Sequence, residues 1–315
     1  MRKRKHPLSV PVAELSGLRR VAAVAARNVY WGRSHGWANL LEEHDLNLRV
    51  RIPRELRKFL WRRRSPSPPG TARPVFVVGV QRSGTNMLTH GLAMSAEVEV
   101  YNEGNRKAFA NYRLRERDHI AALVSRSRHR YVLFKPLVDS HRTRELLDLG
   151  TETPPRAIWI YRDVRGRVRS ELSKFGDSNL RIIRQRTRDP GLRHWQLNDD
   201  AGLSEASSAL LDSLDTRELT PADGAALFWL IRNRLLFELG LHEREDVHVV
   251  SYDRLVAAPE ETMRRVCGFL ALPYSSDLVR FIETRPQGPL PSTDIHPQIL
   301  ALCDDLSRRL DSLVT

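Results

Sequence analysis

The sequence predicts an α/β fold, a central parallel β-sheet flanked by helices, with a basic and mostly helical extension in front of it. Three observations lead there. After residue 74, short apolar runs of strand length alternate with longer segments of helical spacing. The stretch VFVVGVQRSGTNML, Val75 to Leu88, reads as a buried strand feeding a glycine-punctuated loop and then a helix. The net charge of +13 is also unevenly placed: residues 1–70 hold 16 Lys/Arg against 5 Asp/Glu, whereas 71–315 is nearly balanced.

Composition bounds the reading. A chain of 315 residues with 41% hydrophobic and 28% charged side chains has an ordinary folded composition and ample length for a core. No uncharged apolar run approaches the roughly 18 to 20 residues that cross a bilayer. A signal peptide is not expected either, because Pro7, Pro11 and Glu14 interrupt the start and Arg27 closes the VAAVAA run. Cys267 and Cys303 lie in segments of helical apolar spacing with no second ligand nearby, and read as small core residues. A cytoplasmic protein is expected, with peripheral membrane contact left open.

The extension, residues 1–70, carries a helical stripe of Leu15, Leu18, Ala22, Ala25 and Val29 with Arg19, Arg20 and Arg27 beside it. Such a helix suits an anionic membrane surface; the alternative is that it packs on the body with its arginines solvated. Nucleic acid is not the expected partner, since the only aromatic interleaving is Trp61 beside Arg62 to Arg64. SPSPPGTARP, Ser65 to Pro74, is read as a linker that forms neither helix nor central strand. The body, 71–315, then offers five strands: Val75 to Gly79, Glu97 to Tyr101, Tyr131 to Phe134, Ala157 to Tyr161 and Val247 to Ser251. In a parallel sheet their carboxyl ends share one rim, where ligands bind. Arg82 to Thr85, Glu103, Lys135, Arg162 with Asp163, and Tyr252 with Asp253 converge there. Residues 176–220 read as a polar, arginine-rich excursion with at most short helices, placed to shape an acceptor pocket together with part of the extension.

The loop after the first strand has Walker A spacing without Walker A chemistry. Gly79 and Gly84 fall where GxxxxGK[ST] has its glycines, but Thr85 replaces the Lys and Asn86 the Mg²⁺-ligating hydroxyl. The loop can wrap an anion with backbone N–H groups, its cation being Arg82, yet lacks the usual parts for Mg²⁺-assisted γ-phosphoryl transfer. Glu103, in YNEGN beyond the second strand, is the candidate general base; Glu97 and Glu99 are rivals within that strand, and His90, His129 and His141 further candidates.

Three stretches in order resemble the sulfotransferase family that uses 3′-phosphoadenosine-5′-phosphosulfate (PAPS), over most of Pro74 to about Pro273. GVQRSGTNML is similar to the family's 5′-phosphosulfate loop, PRSGTT, from which Gln81 and Asn86 depart. AIWIYRDVRGRVRSELSKFG from Ala157 is similar to its 3′-phosphate element, and VVSYDRLVAAPEETMRRVCGFLALPY from Val249 to its YEDLVxDPExxLxxLxxFLGL segment. The resemblance implies a P-loop-like three-layer fold and a metal-independent transfer of a sulfuryl group from PAPS to a hydroxyl of a glycan, lipid or small alcohol. It implies Arg82, Ser83, Gly84, Thr85 and Asn86 at the 5′-phosphosulfate and Arg162 with Ser170 at the 3′-phosphate. It also puts Glu103 where bacterial and glycosaminoglycan-type members place a catalytic Glu, and Lys135 at the family's Lys-Pro position. Tyr252 and Trp229 are candidates to stack on adenine, although Trp229 equally suits the core, and TRPQGPLPS from Thr284 matches the family's nucleotide loop poorly. Asp139 and Ser140 are candidates to support Lys135. Two other readings stay open: a P-loop kinase, against which Thr85 and Asn86 stand, and a non-catalytic basic nucleic-acid or membrane-binding protein.

Overall fold

The computed structural model describes residues 48–188, 203–284 and 294–314, with the isolated positions 22 and 29. The chain divides into two compact units, Met1–Ser65 and Pro66–Thr315. In the first, α1 (Leu48–Arg64) carries Pro53 inside it, which removes one donor from the helical ladder. Of the stripe expected between Leu15 and Val29, only Ala22 and Val29 are described, and both are helical and exposed. No helix among the described residues is long and apolar enough to cross a membrane.

The second unit opens with β1 (Arg73–Gly79), α2 (Thr85–Ala93) and β2 (Val98–Tyr101), followed by a hairpin of β3 (Phe109–Ala110) and β4 (Arg113–Leu114). Then come α3 (Arg117–Arg126), β5 (Tyr131–Phe134), α4 (Thr143–Leu147), β6 (Arg156–Tyr161), α5 (Val164–Phe175), α6 (Ser178–Arg188) and α7 (Glu205–Asp212). The chain continues through α8 (Pro221–Glu238), β7 (Val247–Ser251), α9 (Tyr252–Ala257), α10 (Pro259–Leu270) and α11 (Pro297–Asp311). The sheet runs β2-β5-β1-β6-β7 with all neighbours parallel. From β1 the chain first visits the β2 edge, returns through β5, and only then crosses to β6. The carboxyl end of β1 is therefore the switch point at which such sheets bind ligands.

Pro74 corrects the linker reading, for it sits in β1, the middle strand, opposite Val132. Its missing N–H costs nothing there. Arg73 donates to the carbonyl of Arg130 on the β5 side, and pairing to β6 begins only at Val75, so the side that Pro74 would serve has no strand beside it.

Helices cover both faces of the sheet, which is why its strands read as continuous apolar runs rather than alternating ones. Phe76, Val78, Val132, Phe134 and Trp159 join residues of α5, α8 and α11 in the main core, while Val75, Val77, Leu133, Ile158 and Ile160 are buried on the opposite face by the two-residue period of a strand. α8 is nearly buried all round, and packs on α5, α6 and α11. It starts on a capping box of Thr220 with Asp223 and has Pro221 in its first turn. Cys267 and Cys303 are free and buried; burial pushes their thiols up to about 11 and about 12. Part of the 176–220 excursion differs from expectation. α6 is three turns long, and it buries Leu180, Ile182 and Ile183 between its arginines. His194 and Trp195 lie outside the described residues, as does most of the stretch from Thr284 to Ser292.

Candidate active site

The loop between β1 and α2 is held in its shape by three features of the backbone and two side chains. Gly79, Arg82 and Gly84 have φ of 127°, 69° and 85°. A Cβ on Gly79 would lie 2.3 Å from the carbonyl oxygen of Ile160, and one on Gly84 would lie 2.2 Å from Cδ2 of Tyr252. Only glycine combines the left-handed backbone with that proximity. Ser140 Oγ accepts from the Gly79 N–H at 3.0 Å and faces the carbonyls of Gly79 and Leu137 at 3.0 and 2.9 Å, so it clasps the strand end. Arg167 Nε donates to the Gln81 carbonyl at 3.3 Å. No side chain caps the start of α2, and the buried Ser83 hydroxyl has no hydrogen-bond partner among the described residues. Open helix N–H groups beside an unused hydroxyl can take an anion. Gly84→Ala should accordingly cost about 2 kcal/mol or more, from left-handed strain plus displacement of Tyr252. Urea titration of the two proteins checks this; equal midpoints would mean that the loop does not hold the positive φ.

Lys135, just past β5, reaches two elements at once. Its ammonium donates to the Asn86 side chain at the start of α2 and lies 3.9 Å from Glu103 Oε2. The Glu103 side chain is 17% exposed. Burial raises its pKa to about 7; Lys135 and the backbone N–H groups of Val138 and Leu137 pull the other way, while Asp139 adds to the rise. The turn that supplies those N–H groups is gripped from its carbonyl side by Arg232 of α8, whose buried guanidinium donates to the carbonyls of Leu137 and Val138. Burial draws Arg232 down to about 10, against the pull of Asp139 and Glu103, so it remains a cation. Asp139 is fully buried; it accepts from the Leu114 N–H at 2.7 Å and lies 3.6 Å from Arg113 and 3.9 Å from Arg142. The hairpin β3–β4 thus delivers an amide and a cation to the turn behind Lys135.

A second group of residues follows β6. Arg162 lies with its guanidinium 4.4 Å from the centre of the Tyr252 ring, and over the first turn of α5, where a Cβ on Gly166 would come within 2.9 Å of its Nε. Trp229 Nε1 donates to the Arg162 carbonyl at 2.8 Å. The strand end is further secured by Asp253 Oδ2, which accepts from the Asp163 N–H at 2.8 Å, while the Asp163 carboxylate caps α5 through the N–H groups of Arg165 and Gly166. Two turns along α5, Ser170 Oγ accepts from Arg82 Nε at 3.1 Å. The loop cation is thereby tied to the second group across 88 residues of sequence.

These contacts bring the sequence-predicted residues into one connected set, Asn86, Lys135 and Glu103, and two pairs, Arg82 with Ser170 and Arg162 with Tyr252. Ser83, Gly84 and Thr85 lie between Arg82 and Asn86 along the loop. The rivals of Glu103 are engaged elsewhere. Glu99 accepts from the hydroxyls of Tyr101 and Ser127 at 2.8 and 2.6 Å, and Glu97 lies 3.3 Å from Arg130. His129 sits at the amino end of β5, on the opposite rim, with Nδ1 3.0 Å from the Ala96 carbonyl. Trp229 is completely buried, which corrects its reading as a base-stacking candidate. It serves instead to hold the backbone of Arg162. Tyr252 is 8% exposed and its ring face is taken by Arg162.

Two arginines were missed. Arg167 is fully buried, and donates to Asn179 Oδ1 at 2.9 Å, Ala225 carbonyl at 2.8 Å and Glu171 Oε2 at 3.2 Å besides Gln81. It falls between Val164 and Glu171 at helical spacing, on a face whose other members are buried. Arg232 stands in AALFWLIRNRLLFELG, apolar on every side, and a helix with that pattern is buried all round.

A family model described as "Sulfotransferase domain" matches residues 72–285. Among solved structures, a sulfotransferase from Alicyclobacillus acidocaldarius is similar at 18% identity and TM-score 0.44, over 77% of this chain and 96% of that one. Sulfotransferase STF9 from Mycobacterium avium is similar at 12% identity and TM-score 0.43, over 98% and 92%. The sulfotransferase domain from the Synechococcus PCC 7002 olefin synthase is similar at 15% and 0.39, over 75% and 88%. No curated protein sequence matches the chain.

Proposed function

The chain belongs to the sulfotransferase-domain family, and from that premise we propose that it transfers a sulfuryl group from PAPS to the hydroxyl of a glycan, lipid or small alcohol. The observation that carries this reading is Lys135, whose ammonium joins Asn86 of the anion loop to Glu103 3.9 Å away. A cradle, a cation and a carboxylate with its pKa raised to about 7 thus share one strand rim.

The residues fit the donor's chemistry. PAPS has two anionic ends separated by a nucleoside, and the rim offers two cationic groups linked through the Arg82–Ser170 hydrogen bond. The N–H groups from Ser83 to Asn86, the unused Ser83 hydroxyl and Arg82 would hold the 5′-phosphosulfate. Arg162, steadied by Tyr252, would hold the 3′-phosphate together with Ser170. When bound, PAPS supplies a sulfuryl group on a phosphate leaving group. Glu103 then takes the proton of the acceptor hydroxyl on a carboxylate oxygen, as a general base with a pKa near neutrality can. Lys135 and Arg82 place positive charge where the leaving phosphate gathers negative charge. Lys135 lies 3.9 Å from Glu103 and donates to Asn86 of the loop, so one cation would serve both ends of the transfer. The helix α6, with the residues up to 220, is proposed to border the acceptor.

A thermal-shift series tests the reading. Adenosine 3′,5′-bisphosphate without Mg²⁺ should raise the melting temperature, corresponding to about 2.7 kcal/mol at 100 times its dissociation constant. Arg162→Ala should weaken that shift strongly. Stabilisation by ATP with Mg²⁺ and none by the bisphosphate would make the chain a kinase-type nucleotide binder instead.

A further inference from the structure

α1 is inverted relative to a core-facing helix. Ile52, Leu56, Phe59 and Leu60 are 62%, 55%, 43% and 40% exposed, whereas the charged Arg54 and Lys58 are buried. At 100° per residue the four apolar side chains and Arg63 span an arc of about 100°, with Arg54 and Lys58 on the far side. Arg63 lies over the Phe59 ring at 4.7 Å. By the same spacing Arg62 and Arg51 lie beyond Glu55 on one side of the arc, about 60° and 80° from its edge, and Arg64 and Arg57 beyond the other edge by about 40° and 60°, all exposed. The helix holds eight Lys/Arg and one acid, Glu55, and that acid is paired with Arg54 at 3.0 Å.

The geometry points to α1 as a docking helix that lies in the surface of an anionic lipid bilayer. Its apolar stripe would enter the boundary between headgroups and acyl chains, and the arginines on both sides of it would reach lipid phosphates at the level where the helix floats. Charge decides between this occupant and the others. A second copy would bring another strongly cationic helix against the first. A nucleic acid would pair with the arginines but leave Ile52, Leu56 and Phe59 facing water or phosphate. An anionic membrane satisfies both the stripe and its rim. This inference is independent of the sulfotransferase chemistry.

Co-sedimentation of the full chain with vesicles of phosphatidylcholine alone, or of phosphatidylcholine with phosphatidylglycerol, tests it. The chain should sediment with the mixed vesicles and remain in the supernatant with the neutral ones. Leu56→Glu with Phe59→Glu should lower the apparent affinity about tenfold or more, and so should Arg51→Glu with Arg62→Glu and Arg64→Glu. All substituted positions are exposed, so both variants should keep the parent melting temperature. Vesicle binding untouched by the Leu56/Phe59 pair would overturn the proposal, because simple polybasic attraction would then suffice. Absence of vesicle binding would also overturn it, as would a dimer in sedimentation velocity that the same pair dissolves.

Discussion

Glu103→Gln is expected to lower turnover by roughly 10² to 10⁴, the usual contribution of a positioned general base, while leaving the affinity for adenosine 3′,5′-bisphosphate within a few-fold of the parent. Glutamine keeps the shape and the neighbourhood of Lys135 but cannot take a proton. The parent's kcat/KM should rise with pH and level off above about 7, where the carboxylate is ionised. The stability consequence has the opposite direction. A carboxyl whose folded pKa is raised from 4.5 to about 7 favours the folded state fully below about 4.5, and that contribution is lost as pH climbs through 7. Above neutrality the Gln variant should therefore be the more stable protein, by something on the order of 2 kcal/mol. Turnover and bisphosphate titration check the first half, and urea unfolding at pH 5 and pH 8 checks the second. Retained turnover would move the base to another residue. A site that gains stability on losing its carboxylate is what a catalytic group held against its solvation preference should show.

Arg167→Ala should produce the largest loss of stability, about 3 to 5 kcal/mol, because it leaves a buried carboxylate and several buried acceptors without their cation. Glu171, Asn179 and the carbonyls of Ala225 and Gln81 all take hydrogen bonds from this one guanidinium. At about 2 to 4 °C per kcal/mol for a chain of this class, the melting temperature should fall by roughly 6 to 20 °C. Bisphosphate affinity should fall as well, since the Gln81 carbonyl is one of two points, with the Arg82–Ser170 hydrogen bond, at which α5 and the loop after β1 are joined. Arg167→Lys should restore little, as one ammonium cannot span four acceptors in three directions. Full stability of the Ala variant would mean that the surrounding groups re-pair or are reached by water.

Much of the framework was legible because its signals are local. β1, β2, β5, β6 and β7 were each readable to within two residues, since strands buried on both faces are short continuous runs of Val, Ile and aromatics between polar turns. The anion loop was readable from Gly79 and Gly84, two glycines at fixed spacing after such a run. Glu103, Lys135 and Arg162 could be proposed from topology alone: in a parallel sheet, the residue after each strand faces the same rim. The hairpin β3–β4 escaped notice because its strands are two residues long and its turn uses Asn111 and Tyr112 at positive φ rather than the glycine that usually announces one. Pro74 was misread because its cost depends on whether a neighbouring strand is present on one side, which no local pattern records.

The buried cations show where local reading ends. Arg167 looks in sequence like a member of a solvated arginine run, and the apolar surroundings of Arg232 signal burial without its partners; the role of each comes from acceptors contributed by distant segments, Gln81, Asn179 and Ala225 for one, Leu137 and Val138 for the other. The link between Arg82 and Ser170 is of the same kind. The exposure of Ile52, Leu56 and Phe59 likewise reverses the usual expectation for an apolar helix stripe. By itself the sequence determined the order of the elements, the strand–loop–helix that is proposed to hold an anion and the single rim on which charged residues gather, because periodicity, glycine and strand polarity act within a few residues. Only the tertiary structure decided which of those charges meet, how far burial moves Glu103, and which arginines face the interior. Those outcomes depend on desolvation and on hydrogen-bond partners that the chain brings together only when it is folded.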